Sequence, residues 1–152
     1  MIAAWYDRQG SPAEVLQLGE LPAAEPGPGE VRVRLTLSGA NPGDVKKRQS
    51  WLGSPMAFAR IVPHSDGAGV IEAAGAGADP ARVGRRVWVY GAQSYRPFGT
   101  AAQTTVVPEA HRRGGAVRQR RPGCRGGPQW RGAGGLRQRS GPPGTAVLAD
   151  AV

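Results

Sequence analysis

The chain has 152 residues, enough for one domain with a sizeable core, and a formal net charge of +9. Its single cysteine, Cys124, excludes an internal disulfide and a four-cysteine zinc site. No apolar run approaches the roughly 18 residues of a membrane-spanning helix, and no basic segment precedes an apolar one at the start. The sequence therefore predicts a cytoplasmic protein without a secretory signal.

The positive charge is concentrated at one end of the chain. Residues 111–152 contain nine Arg, no Lys and one acid, a net of +8, whereas residues 1–110 have a net of +1. The same segment contains 10 Gly and 4 Pro but few large apolar side chains, so it cannot bury enough surface to offset the entropy of ordering. We predict a folded domain over residues 1–110 and a disordered Arg/Gly/Pro-rich basic tail over residues 111–152.

The first 110 residues are divided into short apolar segments by Gly and Pro turns. Two short strands are predicted at the start, the second on Val15, Leu16 and Leu18. The clearest strand is the next one, in which four apolar residues alternate with polar ones, as in a strand with one buried face: Val31, Val33, Leu35 and Leu37. Further strands are expected over residues 70–74, 87–90 and 101–107.

One short helix is predicted between these strands. Asn41 is a suitable N-cap, Pro42 fits the first helical position, and Asp44 places an acid in the first turn. The helix would cover about residues 42–49. Many short strands with one or two short helices predict a mainly β fold, a small, partly open barrel.

The order of the motifs resembles a known family. The matching blocks are Gly29-Glu30-Val31-Arg32-Val33-Arg34, Gly39-Ala40-Asn41-Pro42-Gly43-Asp44, Pro63 through Gly75, Val83 through Trp88, and Tyr90-Gly91-Ala92-Gln93 with Arg96 through Ala102. Residues 1 to about 109 thereby resemble the N-terminal, GroES-like domain of medium-chain dehydrogenases/reductases. Within that superfamily they are most similar to the zinc-independent NADPH:quinone oxidoreductases. The resemblance implies a GroES-like barrel, followed in the intact family by a Rossmann domain that holds NADPH.

The resemblance also implies which residues lie in the cleft for the nicotinamide and the substrate. Those residues are Asn41, Asp44, Lys46, Arg48, Tyr90 and Gln93. The residues alone leave structural alternatives open. These are a helix N-cap for Asn41, a stabilising charge in the first helical turn for Asp44, a solvent-exposed helix face for Lys46 and Arg48, and packing for Tyr90. Gly67 and Gly69 flank the start of a strand, where they serve close backbone approach or an ordinary turn.

No metal site is expected. Zinc-dependent relatives carry a Cys near Asn41 and a Gly-His-Glu triplet where this chain has His64-Ser65-Asp66. A zinc centre needs about three protein ligands, and only one plausible ligand, His64, is present here. The resemblance then implies direct hydride transfer from NADPH to a quinone or enone, in which the protein mainly orients the two reactants.

The chain departs from the family after residue 109. The dinucleotide fingerprint Gly-x-Gly-x-x-Gly should follow a strand, but Gly132-Ala133-Gly134-Gly135 follows Arg-rich sequence. We therefore expect the Rossmann domain to be absent, NADPH not to be bound by this chain alone, and little activity. Excess Arg, Gly and Pro is typical of GC-rich DNA translated out of frame, so we expect a frameshift near codon 110 and an early stop.

Two other functions remain open on the sequence. Arg-Gly segments such as Arg112-Arg113-Gly114-Gly115 resemble those that coat single-stranded nucleic acids, but Trp130 is the only aromatic residue near them, so a nucleic-acid partner is not expected. A non-catalytic GroES-like module is the other alternative. For the intact family, the resemblance is compatible with a homodimer and a small-molecule substrate.

Overall fold

The computed structural model describes residues 1–94, 96–109 and 116–119, the last four as backbone only. Seven strands and two short helices are described within these ranges. They are β1 (Ile2–Trp5), α1 (Pro12–Val15), β2 (Gln17–Glu20), β3 (Glu30–Gly39), α2 (Pro42–Arg48), β4 (Asp66–Ala74), β5 (Arg86–Tyr90), β6 (Thr104–Pro108) and β7 (Ala116–Gln119), with single 3-10 turns at Trp51–Gly53 and Pro80–Arg82. The prediction of a mainly β fold with short helices is confirmed. Neither described helix is long enough or apolar enough to cross a membrane.

The strands form two sheets that do not close into a full barrel. Five strands make one antiparallel sheet in the order β6-β3-β4-β5-β7, and β1 pairs with β2 in a separate two-stranded sheet. The main core lies against the larger sheet and consists of Val31, Val33, Ile71, Ala78, Val87, Val89, Ala92 and Val107. Most of these are β-branched, a shape that packs well on a pleated surface.

Two local expectations were wrong. Residues 12–15 form helix α1, with Pro12 at its first position, and the strand begins only at Gln17. Leu37, expected on the buried face of β3, is 70% exposed. The register of β3 against β4 shifts between Leu35 and Leu37, and the alternation of buried and exposed residues ends there, because Thr36, Leu37 and Ser38 are all exposed.

Helix α2 begins and ends almost where the sequence predicts. It covers Pro42–Arg48, with Asn41 as its N-cap and Gln49 as its C-cap. One more strand lies beyond the predicted end of the folded domain near residue 110. This strand is β7, which pairs antiparallel with β5. The rest of the predicted basic tail, including its Arg-Gly segments, lies outside the described residues.

Candidate functional site

The centre of the candidate site is a contact between Asn41 and Asp66. Gly39, the last residue of β3, is paired with Asp66, the first residue of β4, so the start of α2 lies beside the start of β4. Asn41 Nδ2 donates to Asp66 Oδ2 at 2.6 Å, and the Gly91 backbone N–H donates to Asp66 Oδ1 at 3.3 Å. One carboxylate therefore holds both the Asn41 amide and the turn after β5.

Asp44 fixes the first turn of α2. Its Oδ2 accepts a hydrogen bond from the Asn41 backbone N–H at 2.7 Å, and its side chain is buried. An acid at this position reaching back to the N-cap satisfies a backbone donor that the helix leaves free. Asp44 therefore sets the direction in which the chain enters the helix at Asn41.

Arg48 lies at the other end of α2 and is buried against the N-terminal segment. Its Nη1 donates to the carbonyl oxygen of Gly10. Next to it, burial raises the pKa of the Tyr6 phenol; the negative charge of Asp44 raises it further, and the positive charge of Arg48 lowers it. The structure thus places Arg48 beside Tyr6 and Gly10 of the N-terminal segment.

The two neighbouring lysines of α2 have different environments. Lys46 Nζ lies 4.0 Å from the centre of the Trp51 ring, a cation–π contact. Lys47 Nζ donates to Gln93 Oε1, and Gln93 Nε2 donates to the Arg96 carbonyl oxygen at 3.4 Å. Lys47 therefore joins α2 to the loop after β5, although it was not among the predicted site residues.

The buried loop after β5 completes this side of the site. Gln93 is 5% exposed, and half-buried Tyr90 is the last residue of β5. The Ala92 backbone N–H donates to the Ser65 carbonyl oxygen at 2.8 Å. The structure thus brings Gln93 and the end of β5 near the start of β4, where Asp66 holds Asn41.

Gly67 and Gly69 lie where β3 crosses close to β4. A Cβ atom on Gly67 would be 2.7 Å from the Leu37 carbonyl oxygen, and one on Gly69 would be 2.1 Å from the Arg34 carbonyl oxygen. Both distances are shorter than any real Cβ contact. Space for the neighbouring strand therefore requires glycine at both positions.

His64 takes part in a short hydrogen-bonded chain beside Asp66. Its Nδ1 lies 2.8 Å from Ser38 Oγ, which is 3.0 Å from Thr100 Oγ1, and Thr100 Oγ1 donates to the Asp66 carbonyl oxygen at 2.6 Å. From the sequence alone, His64 was only a single candidate metal ligand with no partner. No sequence signal could have linked it to Ser38, 26 residues away.

The described residues include no cradle for the pyrophosphate of a dinucleotide. Asn41 and its neighbours offer polar groups of the kind that a nicotinamide carboxamide can bind. A pyrophosphate cradle requires a parallel strand, a Gly-rich turn and a helix, whereas every strand pair in the described part of the chain is antiparallel. Within that part, no three His, Cys, Asp or Glu side chains are grouped to hold a metal ion.

The family assignment follows from comparison with known proteins. Residues 27–119, more than half of the chain, match the alcohol dehydrogenase GroES-like domain family, and the chain belongs to that family. It is the N-terminal domain type of the medium-chain dehydrogenases/reductases, as the order of its motifs predicts. No curated protein is similar enough to the chain to count as a match.

Several solved structures have the same fold. An NAD-dependent alcohol dehydrogenase is 30% identical over 78% of this chain, with a TM-score of 0.68. A quinone oxidoreductase of Pseudomonas syringae pv. Tomato DC3000 is 27% identical over 82%, with a TM-score of 0.67. An alcohol dehydrogenase superfamily protein from Novosphingobium aromaticivorans is 31% identical over 71%, with a TM-score of 0.61. The matches cover only 39%, 34% and 32% of those chains.

Proposed function

We propose that the described domain is the substrate-side half of a zinc-independent, NADPH-dependent quinone oxidoreductase. The observation that carries the proposal is the Asn41 amide held by Asp66 where zinc-dependent relatives carry a ligand cysteine. A carboxamide cannot replace a thiolate as a zinc ligand, but it can hydrogen-bond a carbonyl. The similar quinone oxidoreductase of Pseudomonas syringae supports the same choice of activity.

The Asn41 amide is suited to orient a planar carbonyl compound. One of its two Nδ2 hydrogens is committed to Asp66 Oδ2, which fixes the plane of the amide and leaves the second hydrogen for a carbonyl oxygen. Holding two reactants in a fixed geometry supplies much of the rate enhancement of a bimolecular step. Asn41 would thus position the acceptor or the nicotinamide carboxamide.

We propose further that the 152-residue chain does not catalyse this reaction by itself, because its described residues supply no cradle for the pyrophosphate of NADPH. The first experiment measures NADPH oxidation by the purified chain with a soluble quinone. We expect a rate equal to the blank, with the Pseudomonas syringae quinone oxidoreductase as positive control. Turnover by the chain alone would show that this part of the proposal is wrong.

A chimaera tests the substrate-side role. Residues 1–109 would replace the corresponding domain of the Pseudomonas enzyme, and NADPH binding would be measured separately from quinone reduction. We expect quinone reduction by the chimaera and a loss of at least tenfold in Asn41→Ala, about 1.4 kcal/mol of transition-state stabilisation. A chimaera that folds and binds NADPH but reduces no quinone contradicts the proposed function.

We propose that the basic segment after residue 119, where the family match and strand β7 both end, is out-of-frame translation. This proposal rests on its composition, six Arg and eight Gly with one acid. Translation of the coding DNA in the other two frames tests it. We expect one frame to encode a Gly-x-Gly-x-x-Gly motif after a strand, and finding it in neither frame refutes the proposal.

A further inference from the structure

Four residues, Asp66, Thr100, Ser38 and His64, form a series of hydrogen bonds whose geometry sets how many hydrogens it must contain. It contains three close contacts between polar atoms: 2.6 Å from the Asp66 carbonyl oxygen to Thr100 Oγ1, 3.0 Å from Thr100 Oγ1 to Ser38 Oγ, and 2.8 Å from Ser38 Oγ to His64 Nδ1. Each contact needs one hydrogen between its two atoms, since lone pairs at these distances otherwise repel each other. Three hydrogens are therefore required.

The two hydroxyl groups cannot supply all three. A carbonyl oxygen has no hydrogen to give, and the Thr100 and Ser38 hydroxyls have one each. The third hydrogen must come from the His64 ring. Thr100 donates to the Asp66 carbonyl oxygen, Ser38 donates to Thr100, and His64 Nδ1–H donates to Ser38. Every contact then has one hydrogen, and we call this series of three hydrogen bonds the relay.

We infer that neutral His64 is held as its Nδ1–H tautomer, and that its Nε2 accepts a hydrogen bond from a ligand hydroxyl. The partner of a ring nitrogen decides which tautomer a histidine adopts. In the Nδ1–H tautomer Nε2 carries a lone pair and no hydrogen, so it accepts a hydrogen bond from a phenolic hydroxyl.

Asp66 links the relay to the candidate site. The Asp66 carbonyl oxygen ends the relay, while the carboxylate of the same residue holds Asn41. His64 also has a φ of +70°, a conformation that costs a non-glycine residue free energy and that persists where surrounding contacts enforce it. Here the relay and the hydrogen bond from the Thr100 backbone N–H to the His64 carbonyl oxygen, 2.8 Å long, enforce it.

The tautomer can be measured directly by nitrogen NMR of the imidazole rings in the full 152-residue chain. The spectrum is recorded at alkaline pH, on the plateau where a further rise in pH leaves the imidazole nitrogen signals unchanged. The chain has two histidines, and His111→Gln assigns the signals. We expect Nδ1 to be the protonated nitrogen of His64 and Nε2 the unprotonated one. A protonated Nε2 overturns the inference.

Three variants test whether the relay sets the tautomer. Ser38→Ala removes the acceptor of Nδ1–H, and Thr100→Val frees the Ser38 hydroxyl to donate to Nδ1; both should make the Nε2–H form the major one. Thr36→Val is the matched control, because Thr36 is an exposed residue of the same strand that bonds to the Ala68 carbonyl oxygen outside the relay. Ser38 is exposed, so S38A keeps the test valid if T100V does not fold. An unchanged tautomer in S38A refutes the relay.

The ligand part rests on the proposed function and has its own measurement. Under argon, a monocyclic para-hydroquinone is titrated into the chain and compared with its dimethyl ether, which has no hydroxyl hydrogen. We expect the hydroquinone alone to shift the Nε2 signal, and to lose that effect in S38A. Equal shifts, or none, overturn the ligand assignment. The tautomer result needs neither NADPH nor turnover, so its failure is distinguishable from a failure of the proposed function.

Discussion

Replacement of Gly69 by alanine should destabilise the domain severely, although it adds only one methyl group. Gly69 is paired with Leu35 next to the register shift between β3 and β4. Its Cβ atom would lie 2.1 Å from the Arg34 carbonyl oxygen, more than 1 Å closer than the 3.4 Å at which ordinary contacts begin. The Gly69 φ lies outside the left-handed region, so the whole cost comes from lack of space.

The size of the destabilisation follows from how far β3 and β4 must separate. The obstacle is backbone in the middle of the sheet, so β3 and β4 must separate by about 1 Å, which weakens about two ladder hydrogen bonds at roughly 0.5–1.5 kcal/mol each. Overpacking of a filled core adds about 1–3 kcal/mol. We expect Gly69→Ala to lower the free energy of unfolding by about 2–6 kcal/mol, a large part of the roughly 5–15 kcal/mol typical of a domain.

Urea unfolding followed by circular dichroism measures this change, with Gly43→Ala as the matched control. Gly43 lies in α2, is exposed, and has no atom within 4 Å of its would-be Cβ. The same methyl group should therefore stabilise the chain there by roughly 0.5–1 kcal/mol. The reasoning is refuted if Gly69→Ala unfolds within about 0.5 kcal/mol of the wild type, or if the two variants change stability equally.

Three further predictions concern charge. Asn41→Asp places a second carboxylate beside that of Asp66 and should lower the free energy of unfolding by about 1–3 kcal/mol at neutral pH. Urea titrations should show that this loss becomes smaller as pH falls and one carboxyl of the pair takes up a proton. The folded-state pKa of Tyr6 is raised, so the contribution of its neutral phenol to the free energy of unfolding is complete below the unfolded pKa of about 10 and is lost as pH rises through the folded pKa. Tyr6→Phe should abolish this part of the loss of stability at alkaline pH. Hydrogen bonds from Arg60 lower the pKa of Asp7, so Arg60→Gln should raise it, as measured by carboxyl NMR.

Each of these predictions has an outcome that contradicts it. A loss in Asn41→Asp that is the same at every pH would mean that the two carboxylates do not interact. An alkaline decline as steep in Tyr6→Phe as in the wild type would remove the phenol as its source. An Asp7 pKa that stays low without the Arg60 guanidinium would assign the shift to another group.

Features that depend on neighbours along the chain could be read from the sequence. Asn41, Pro42 and Asp44 specify a helix start through an N-cap, a fixed φ and a first-turn acid, and the helix begins there. The alternation of Val31 and Val33 with polar residues specifies a strand with one buried face. The order of such local motifs was also enough to identify the family.

The candidate site required the tertiary structure. The bond from Asn41 to Asp66 joins residues 25 positions apart, and that from Lys47 to Gln93 joins residues 46 apart. Which strand pairs with which, and in what register, decides such contacts. Leu37 is exposed at the point where that register shifts, which the alternation in the sequence did not indicate.

The sequence by itself therefore determined the elements, the family and the chemical groups available. Only the tertiary structure decided that Asp66 holds Asn41, that Arg48 is buried against Gly10, and that His64 ends a relay through Ser38 and Thr100. The physical reason is that backbone preferences act between adjacent residues, whereas a hydrogen bond between distant side chains exists only once the strands that carry them have paired.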